Sequence, residues 1–203
     1  YDWESLIKTP LYRNILDNWR ALLDNNRLKE ADYHNFLATN PAIFLMERNS
    51  YLAISKLKLG SEYETDFVIV KEGYRNGTIY ELIEIESPHT ALFDKSGKPT
   101  AKFNAALQQI RDWKRFLINN KPIFKRILPT TNTRIISNSR LRFKIIIGRR
   151  THDLDQLEKR RQISEEENIE IISFDRLTEI AQNRCCFWND SDIFSAEMDE
   201  IDY

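Results

Sequence analysis

Acidic side chains stand at matching ends of two successive apolar segments. Asp66 precedes the run FVIV, and Glu84 and Glu86 lie near the end of the run TIYELIEIE. Because side chains alternate between the two faces of a strand, Glu84 and Glu86 share one face. Clustered carboxylates repel one another, and a hard divalent cation with oxygen ligands relieves that repulsion. Such a cation polarises phosphate groups and acidifies water, so the pattern indicates a catalytic Mg²⁺ or Mn²⁺ site formed by Asp66, Glu84 and Glu86.

The same spacing also occurs where two glutamates are solvated on an edge strand, and the position of Asp66 separates the two interpretations. A two-residue turn at 76–77 would put Asp66 on the face opposite to Glu84 and Glu86. A three-residue loop at 75–77, closed by a glycine bulge, would pair Asp66 with Glu86 and leave Glu84 on the diagonal. One residue of register moves every side chain to the other face. We predict the bulged loop, or another odd-numbered loop of the same parity.

Hydrophobic periodicity predicts an α/β domain with a mixed central β-sheet flanked by helices. Two helical segments come first, and the second stops before Pro41. Three strands rich in β-branched and aromatic residues follow, and then a helix with Thr100 as its N-cap. The apolar face of that helix consists of Phe103, Ala106, Leu107, Ile110, Trp113 and Leu117. The predicted strands span residues 51–59, 66–71, 78–86, 142–148 and 169–173, and the last two helices span residues 154–167 and 175–182.

Composition places the chain among ordinary globular proteins. It has 203 residues, of which 41% are hydrophobic and 30% charged, with a net charge of −1. No apolar run approaches the roughly 20 residues that a membrane-spanning helix needs. The adjacent pair Cys185 and Cys186 stands apart from any Cys/His cluster, which argues against a zinc site or a disulfide framework and predicts a reducing, cytoplasmic location.

The expected organisation is an N-terminal helical segment over residues 1–27, a main domain over 28–185 and an acidic C-terminal tail over 186–203. The chain does not begin with methionine, and its first residues already have helical spacing. We therefore expect it to be a piece of a longer protein.

Five short segments carry a resemblance to a known family. They are FLATNPAIF, KLGSEYETDFVIV, IEIESPHTALF, QQIRDWKRF and FKIIIGRR, in that order over residues 35–150. The pair DFVIV and ELIEIESP resembles the core of PD-(D/E)XK nucleases, and the five together resemble the nuclease domain of the Shedu anti-phage defence family. The resemblance implies a PD-(D/E)XK nuclease-like, metal-dependent endonuclease fold in which Asp66 and Glu84 bind the metal and Gln109 supports the site. It also implies a prokaryotic defence role and a homo-oligomer.

One position departs from the nuclease motif. The third motif residue is ordinarily a lysine that orients the attacking water and offsets negative charge, and here it is Glu86. A glutamate supplies no positive charge, but it can bind metal or accept the proton of the water as a general base. Some restriction enzymes of this superfamily carry glutamate at this position, so Glu86 is compatible either with catalysis or with a site that has lost it.

Basic residues are concentrated in the middle of the chain. The charges between residues 111 and 150 are nearly all positive, whereas those after residue 164 are mostly negative. Such a region can contact phosphates, although scattered cations are also typical of solvated surfaces. The candidates nearest the acidic segment are Lys95, Lys98, Lys102, Arg149 and Arg150. We predict Lys98 and Arg149 as nucleic-acid-binding residues.

The leading hypothesis is a Mg²⁺- or Mn²⁺-dependent endonuclease that hydrolyses DNA phosphodiester bonds. Asp66, Glu84 and Glu86 would bind the metal, and the catalytic group would comprise these three and Gln109. One alternative is a catalytically inactive nuclease-fold module that binds nucleic acid or a partner protein. Another is an interaction domain of a larger defence protein that uses its charged helices. The sequence distinguishes neither DNA from RNA nor duplex from single strand.

Overall fold

The computed structural model describes residues 11–45, 49–73, 77–120 and 140–187. The strands are β1 (Ser50–Ser55), β2 (Lys58–Leu59), β3 (Tyr63–Glu64), β4 (Phe67–Glu72), β5 (Thr78–Ile85), β6 (Leu141–Ile146) and β7 (Glu170–Ile172). The helices are α1 (Arg13–Leu23), α2 (Glu30–Thr39), α3 (Ala101–Asn119), α4 (Leu154–Glu167) and α5 (Phe174–Phe187), with a 3₁₀ turn at Pro41–Ile43. Within these ranges, no helix combines the length and the apolar character that a membrane crossing requires.

Several sequence predictions concern residues outside the described ranges. They are the helical start before residue 11, the hairpin tip at 74–76, the polar loop at 129–139 and the acidic tail after residue 187. The side chains of Cys185 and Cys186 also lie outside the described part of the structure.

A mixed five-stranded sheet organises the fold. Its strand order is β1-β4-β5-β6-β7, and β2 pairs with β3 in a separate ribbon. The pairs β1–β4 and β4–β5 are antiparallel, whereas β5–β6 and β6–β7 are parallel and are connected by helical segments. The predicted α/β fold with a mixed central sheet and flanking helices is confirmed.

Each face of the sheet carries its own apolar layer. Helix α3 covers one face, where its side chains pack among Val68, Leu82 and Ile145. Helices α1, α2 and α5 cover the other face, which includes Ile69 and Ile83. All six apolar residues predicted for the α3 face are buried. The Thr100 side chain accepts a hydrogen bond from the backbone N–H of Phe103, so the predicted N-cap is also confirmed.

The β4–β5 hairpin has the predicted parity but a different register. The ladder runs from the pair Phe67–Ile83 to the pair Glu72–Thr78, which brings Asp66 opposite Glu84. The predicted loop at 75–77, with Asp66 opposite Glu86, is therefore wrong by two residues, whereas the odd loop is confirmed.

Two glycines explain the shifted register. The backbone N–H of Gly73 donates to the carbonyl oxygen of Gly77 over 2.9 Å, so the ladder continues to this pair and leaves three residues at the tip. A Cβ on Gly73 would lie 2.2 Å from that oxygen, and Gly77 has a φ of +74°. Both positions therefore need glycine, which the sequence prediction recognised only at Gly77.

A row of charged side chains crosses four strands of the sheet, and three of the four are buried. The Glu81 carboxylate in β5 lies 3.2 Å from Lys71 Nζ in β4 and 3.0 Å from Lys144 Nζ in β6. Lys144 Nζ also lies 3.1 Å from the carboxylate of Glu170 in β7. Buried ions are tolerated only with partners, and a one-residue slip would carry these side chains to the other face. We infer that this row favours the register on which Asp66 and Glu84 depend.

Replacing Glu81 by alanine should lower the free energy of unfolding by about 3 kcal/mol or more, because Lys144 would remain buried without its closest carboxylate. The control is Glu170→Ala, which removes the partner whose side chain is 55% exposed and should cost less than about 1 kcal/mol. Urea unfolding of both variants measures the difference. Equal losses would contradict the importance assigned to the buried members of the row.

Candidate carboxylate site

The three predicted acids meet at one end of the central strands β4 and β5. Asp66 and Glu84 lie on neighbouring strands and are only 8% and 7% exposed. The backbone N–H of Ile85 donates to Asp66 Oδ2 over 2.8 Å, which fixes that carboxylate against β5. Glu86 follows the end of β5, and its N–H donates to the carbonyl oxygen of Ile146 in β6. The site therefore stands where β5 and β6 end, on the face covered by α3.

Glu84 has the most perturbed environment of the group. Burial, followed by the negative charges of Asp66 and Glu86, raises its pKa to about 10. A hydrogen bond between the carboxyl groups of Glu84 and Asp66 acts in the same direction. Near neutral pH and without a bound cation, Glu84 therefore holds a proton that reduces the repulsion within the site.

Gln109 is brought to the site by the buried face of α3. Its side-chain amide Nε2 donates to Glu84 Oε2 over 2.8 Å. The neighbouring Gln108 instead donates to Asp112 on the exposed side of the same helix. The structure thus distinguishes two adjacent glutamines, and only Gln109 can orient the Glu84 carboxyl group.

A fourth acid, Glu30, was missed by the sequence analysis. It lies in the first turn of α2, where burial and then the charge of Glu86 raise its pKa. The Nζ of Lys102 lies 3.5 Å from the Glu86 carboxylate and 3.9 Å from that of Glu30. An acid in the first turn of a helix is ordinary because it complements the helix dipole, so the sequence contained no signal that separated Glu30 from a surface residue.

Lys56 was also missed, although it makes the closest ionic contact of the site. Its Nζ lies 2.5 Å from Asp66 Oδ1. Burial lowers its pKa, but the hydrogen bond and the charge of Asp66 outweigh that effect, so the pKa is raised overall. The sequence analysis placed Lys56 inside a predicted strand over 51–59, whereas the structure ends β1 at Ser55. Only the pairing of β1 with β4 shows which residue Lys56 faces.

The donor chemistry of this site suits a hard divalent cation. All its candidate ligands are carboxylate oxygens, and four acids share two lysines. In the described ranges, however, no three His, Cys, Asp or Glu side chains are grouped so that they could hold a metal ion as they stand. Asp66 and Glu84 direct oxygens at Lys56 and Gln109 instead. A metal would therefore have to displace the Lys56 ammonium from Asp66.

The two predicted phosphate contacts lie apart from the acids. The Arg149 guanidinium forms hydrogen bonds with Asp175 over 3.0 and 3.1 Å, with Asp24 over 3.2 Å and with the carbonyl oxygen of Leu23 over 2.9 Å. Lys98 is exposed in the loop before α3. Neither side chain forms a hydrogen bond or ion pair with the three predicted acids, and Arg149 would have to give up an existing partner to bind a phosphate.

Comparison with known families assigns the chain to one of them. The family model described as Shedu protein SduA, C-terminal, matches residues 27–178. The chain belongs to this Shedu family. The matched region contains the carboxylate site and the five segments on which the resemblance rested, and the resemblance to the Shedu family is confirmed. Membership of the Shedu family implies a role in anti-phage defence. No curated protein sequence matches the chain.

The raised pKa of Glu84 predicts a pH effect on the stability of this Shedu protein in EDTA. Between about pH 4.5 and 10, the folded chain holds a proton that the unfolded chain has released, so stability falls as pH rises. Glu84→Gln has no such proton to lose. Its stability advantage over the wild type should grow with pH by up to about 1.4 kcal/mol per unit. Urea unfolding at pH 5, 7 and 9 measures this, and parallel pH profiles would contradict it.

Proposed function

We propose that this Shedu-family chain is a metal-dependent endonuclease that hydrolyses DNA phosphodiester bonds, with a PD-(D/E)XK-like core. The observation that carries the proposal is the pairing of β4 with β5, which places Asp66 opposite Glu84 at the edge where Glu86 also lies. Family membership supports the defence context of the activity. The fold supports it as well, because the acids come from adjacent strands of a mixed sheet.

The carboxylates of Asp66, Glu84 and Glu86 would hold Mg²⁺ or Mn²⁺. When bound, the metal would supply Lewis acidity toward a phosphate oxygen and lower the pKa of water. Glu84 would give up its proton as the cation takes over charge neutralisation. Gln109 would keep the carboxylate oriented through its bond to Oε2, and the N–H of Ile85 would do the same for Asp66. These contacts prepare the ligands before substrate arrives.

Glu86 is the candidate general base of the reaction. Its side chain is 13% exposed, so a water molecule can approach it from the solvent side. In the proposed step, the oxygen of that water attacks phosphorus while its proton passes to the Glu86 carboxylate. The bond from phosphorus to the leaving oxygen breaks, and this oxygen takes a proton from solvent. The Nζ of Lys102 lies 3.5 Å from the Glu86 carboxylate.

Two features favour a second candidate, a nuclease-fold module without catalysis. By the resemblance to the nuclease motif, Glu86 stands where a lysine is usual. Within the described residues, the acids as they stand also form no group that could hold a metal. Such a module would bind nucleic acid or a partner protein through the same fold. The variant Glu86→Lys separates the two candidates, because it restores the motif lysine.

We expect the wild-type chain to cleave plasmid DNA in Mg²⁺ or Mn²⁺, and Asp66→Asn to remove this activity by deleting a ligand charge. Gln109→Ala should lower the rate by about 10- to 100-fold, because it frees the Glu84 carboxylate. The adjacent variant Gln108→Ala is the matched control and should cleave at the wild-type rate. Gel assays of nicked and linear products, with EDTA as the blank, measure these rates.

One result would contradict the endonuclease, and another would contradict the role of Gln109. Cleavage by Glu86→Lys but not by the wild type would identify an inactive module. Equal rates for Gln109→Ala and Gln108→Ala would show that the α3 contact with Glu84 does not serve catalysis.

A further inference from the structure

Lys56, directly after β1, is the cross-strand neighbour of Asp66, directly before β4. The register of β1 with β4 runs through the pair Ser55–Phe67, and the backbone N–H of Lys56 continues it by donating to the carbonyl oxygen of Asp66 over 3.0 Å. The register of β4 with β5 brings Glu84 to the other side of Asp66. One cross-strand row therefore contains Lys56, Asp66 and Glu84, because Asp66 is aligned with a lysine on one side and with a second acid on the other.

The backbone of Lys56 has an unusual conformation. Its φ is +54°, in the left-handed region that residues with a Cβ seldom occupy. Only one other non-glycine residue in the described ranges, Asn168, has a positive φ. Asparagine tolerates this region, whereas lysine has no local side-chain interaction that favours it. Unfavoured backbone conformations of this kind are concentrated at functional sites.

Lys56 is the more exposed member of its ion pair. The Lys56 side chain is 47% exposed, whereas that of its partner Asp66 is 11% exposed. The ammonium is therefore accessible to an anionic substrate that approaches Asp66 from solvent. The Nζ has three donor hydrogens, and the single contact with Asp66 leaves donors for another oxygen.

We propose that Lys56 supplies, from the neighbouring strand, the positive charge that the motif lysine would have supplied from the position of Glu86. The proposal rests on the endonuclease function and names the group that contacts its substrate. Asp66 would be a ligand of the cation, and the Lys56 ammonium, which now donates to Asp66 Oδ1, would instead donate to a non-bridging oxygen of the phosphodiester. Lys56 remains protonated throughout and forms or breaks no covalent bond. It offsets the negative charge that develops as water adds to phosphorus.

Lys102 is the other lysine of the site, and its contacts suit it less well to this role. It lies between the Glu86 and Glu30 carboxylates, at 3.5 and 3.9 Å. Its movement to substrate would leave two neighbouring acids without their shared cation. Among the residues that the structure describes, Lys56 forms an ion pair with one carboxylate, that of Asp66, and the proposed metal would replace it there.

The test compares Lys56→Ala, Lys56→Gly and Lys56→Arg with the control Lys58→Ala. Lys58 is an exposed lysine two residues further along the same segment. Glycine accommodates the positive φ, so Lys56→Gly removes the charge without adding backbone strain. Two quantities are measured on each protein: the rate of plasmid cleavage, and the affinity for Mn²⁺ by titration calorimetry without DNA.

Loss of the charge should lower the cleavage rate of Lys56→Ala and Lys56→Gly by about 100-fold or more, as for other groups that stabilise charge in a transition state. Their Mn²⁺ affinity should be unchanged or higher, because the competing ammonium is gone. Lys56→Arg should cleave at least tenfold faster than Lys56→Ala, and Lys58→Ala should match the wild type.

The outcomes separate this role from the proposed function. Wild-type cleavage with an equally active Lys56→Ala would overturn the role of Lys56 and leave the endonuclease intact. Parallel losses of cleavage and Mn²⁺ affinity would show that Lys56 only holds Asp66 in place, and equal loss in the alanine and arginine variants would exclude a charge effect. A wild-type chain that cleaves no DNA would overturn the endonuclease and the role of Lys56 with it.

Discussion

The antiparallel pairing of β4 with β5 is the constraint on which the site depends. It brings Asp66 opposite Glu84 and lets the N–H of Ile85 hold the Asp66 carboxylate. A shift of one residue would turn Asp66 toward the other face, away from Glu84 and α3. The hairpin glycines and the charge row through Glu81 both favour this register of β4 with β5. The register of β4 with β5 therefore determines which acidic side chains meet at the site.

The site brings several negative charges close together, and the fold must offset their mutual repulsion. Four carboxyl groups meet near the ends of β5 and β6, and two of them have raised pKa values because of burial and mutual repulsion. The apolar layers on both faces of the sheet hold this arrangement in place. A proton on Glu84 and the ammoniums of Lys56 and Lys102 partly neutralise it.

The sequence predicted the parts of this arrangement that follow from local periodicity. Alternation along one strand was enough to put Glu84 and Glu86 on one face, and helical spacing was enough to find the buried face of α3. The exact hairpin register could not be obtained this way, because it depends on a contact between two glycines across the loop. Lys56 and Glu30 were missed for a related reason. Lys56 reaches Asp66 through the pairing of β1 with β4, and Glu30 approaches Glu86 from helix α2. Neither contact leaves a periodic trace in the sequence.

In the proposed function, the row of Lys56, Asp66 and Glu84 is a cation site that faces a phosphodiester. The most direct measurement is a crystal structure of the protein grown with Mn²⁺, with the metal located by anomalous scattering. We predict a peak of anomalous scattering between the carboxylates of Asp66 and Glu84, with the Lys56 ammonium displaced from Asp66 Oδ1. A crystal in saturating Mn²⁺ that shows no peak there, and in which Lys56 still contacts Asp66, would contradict it.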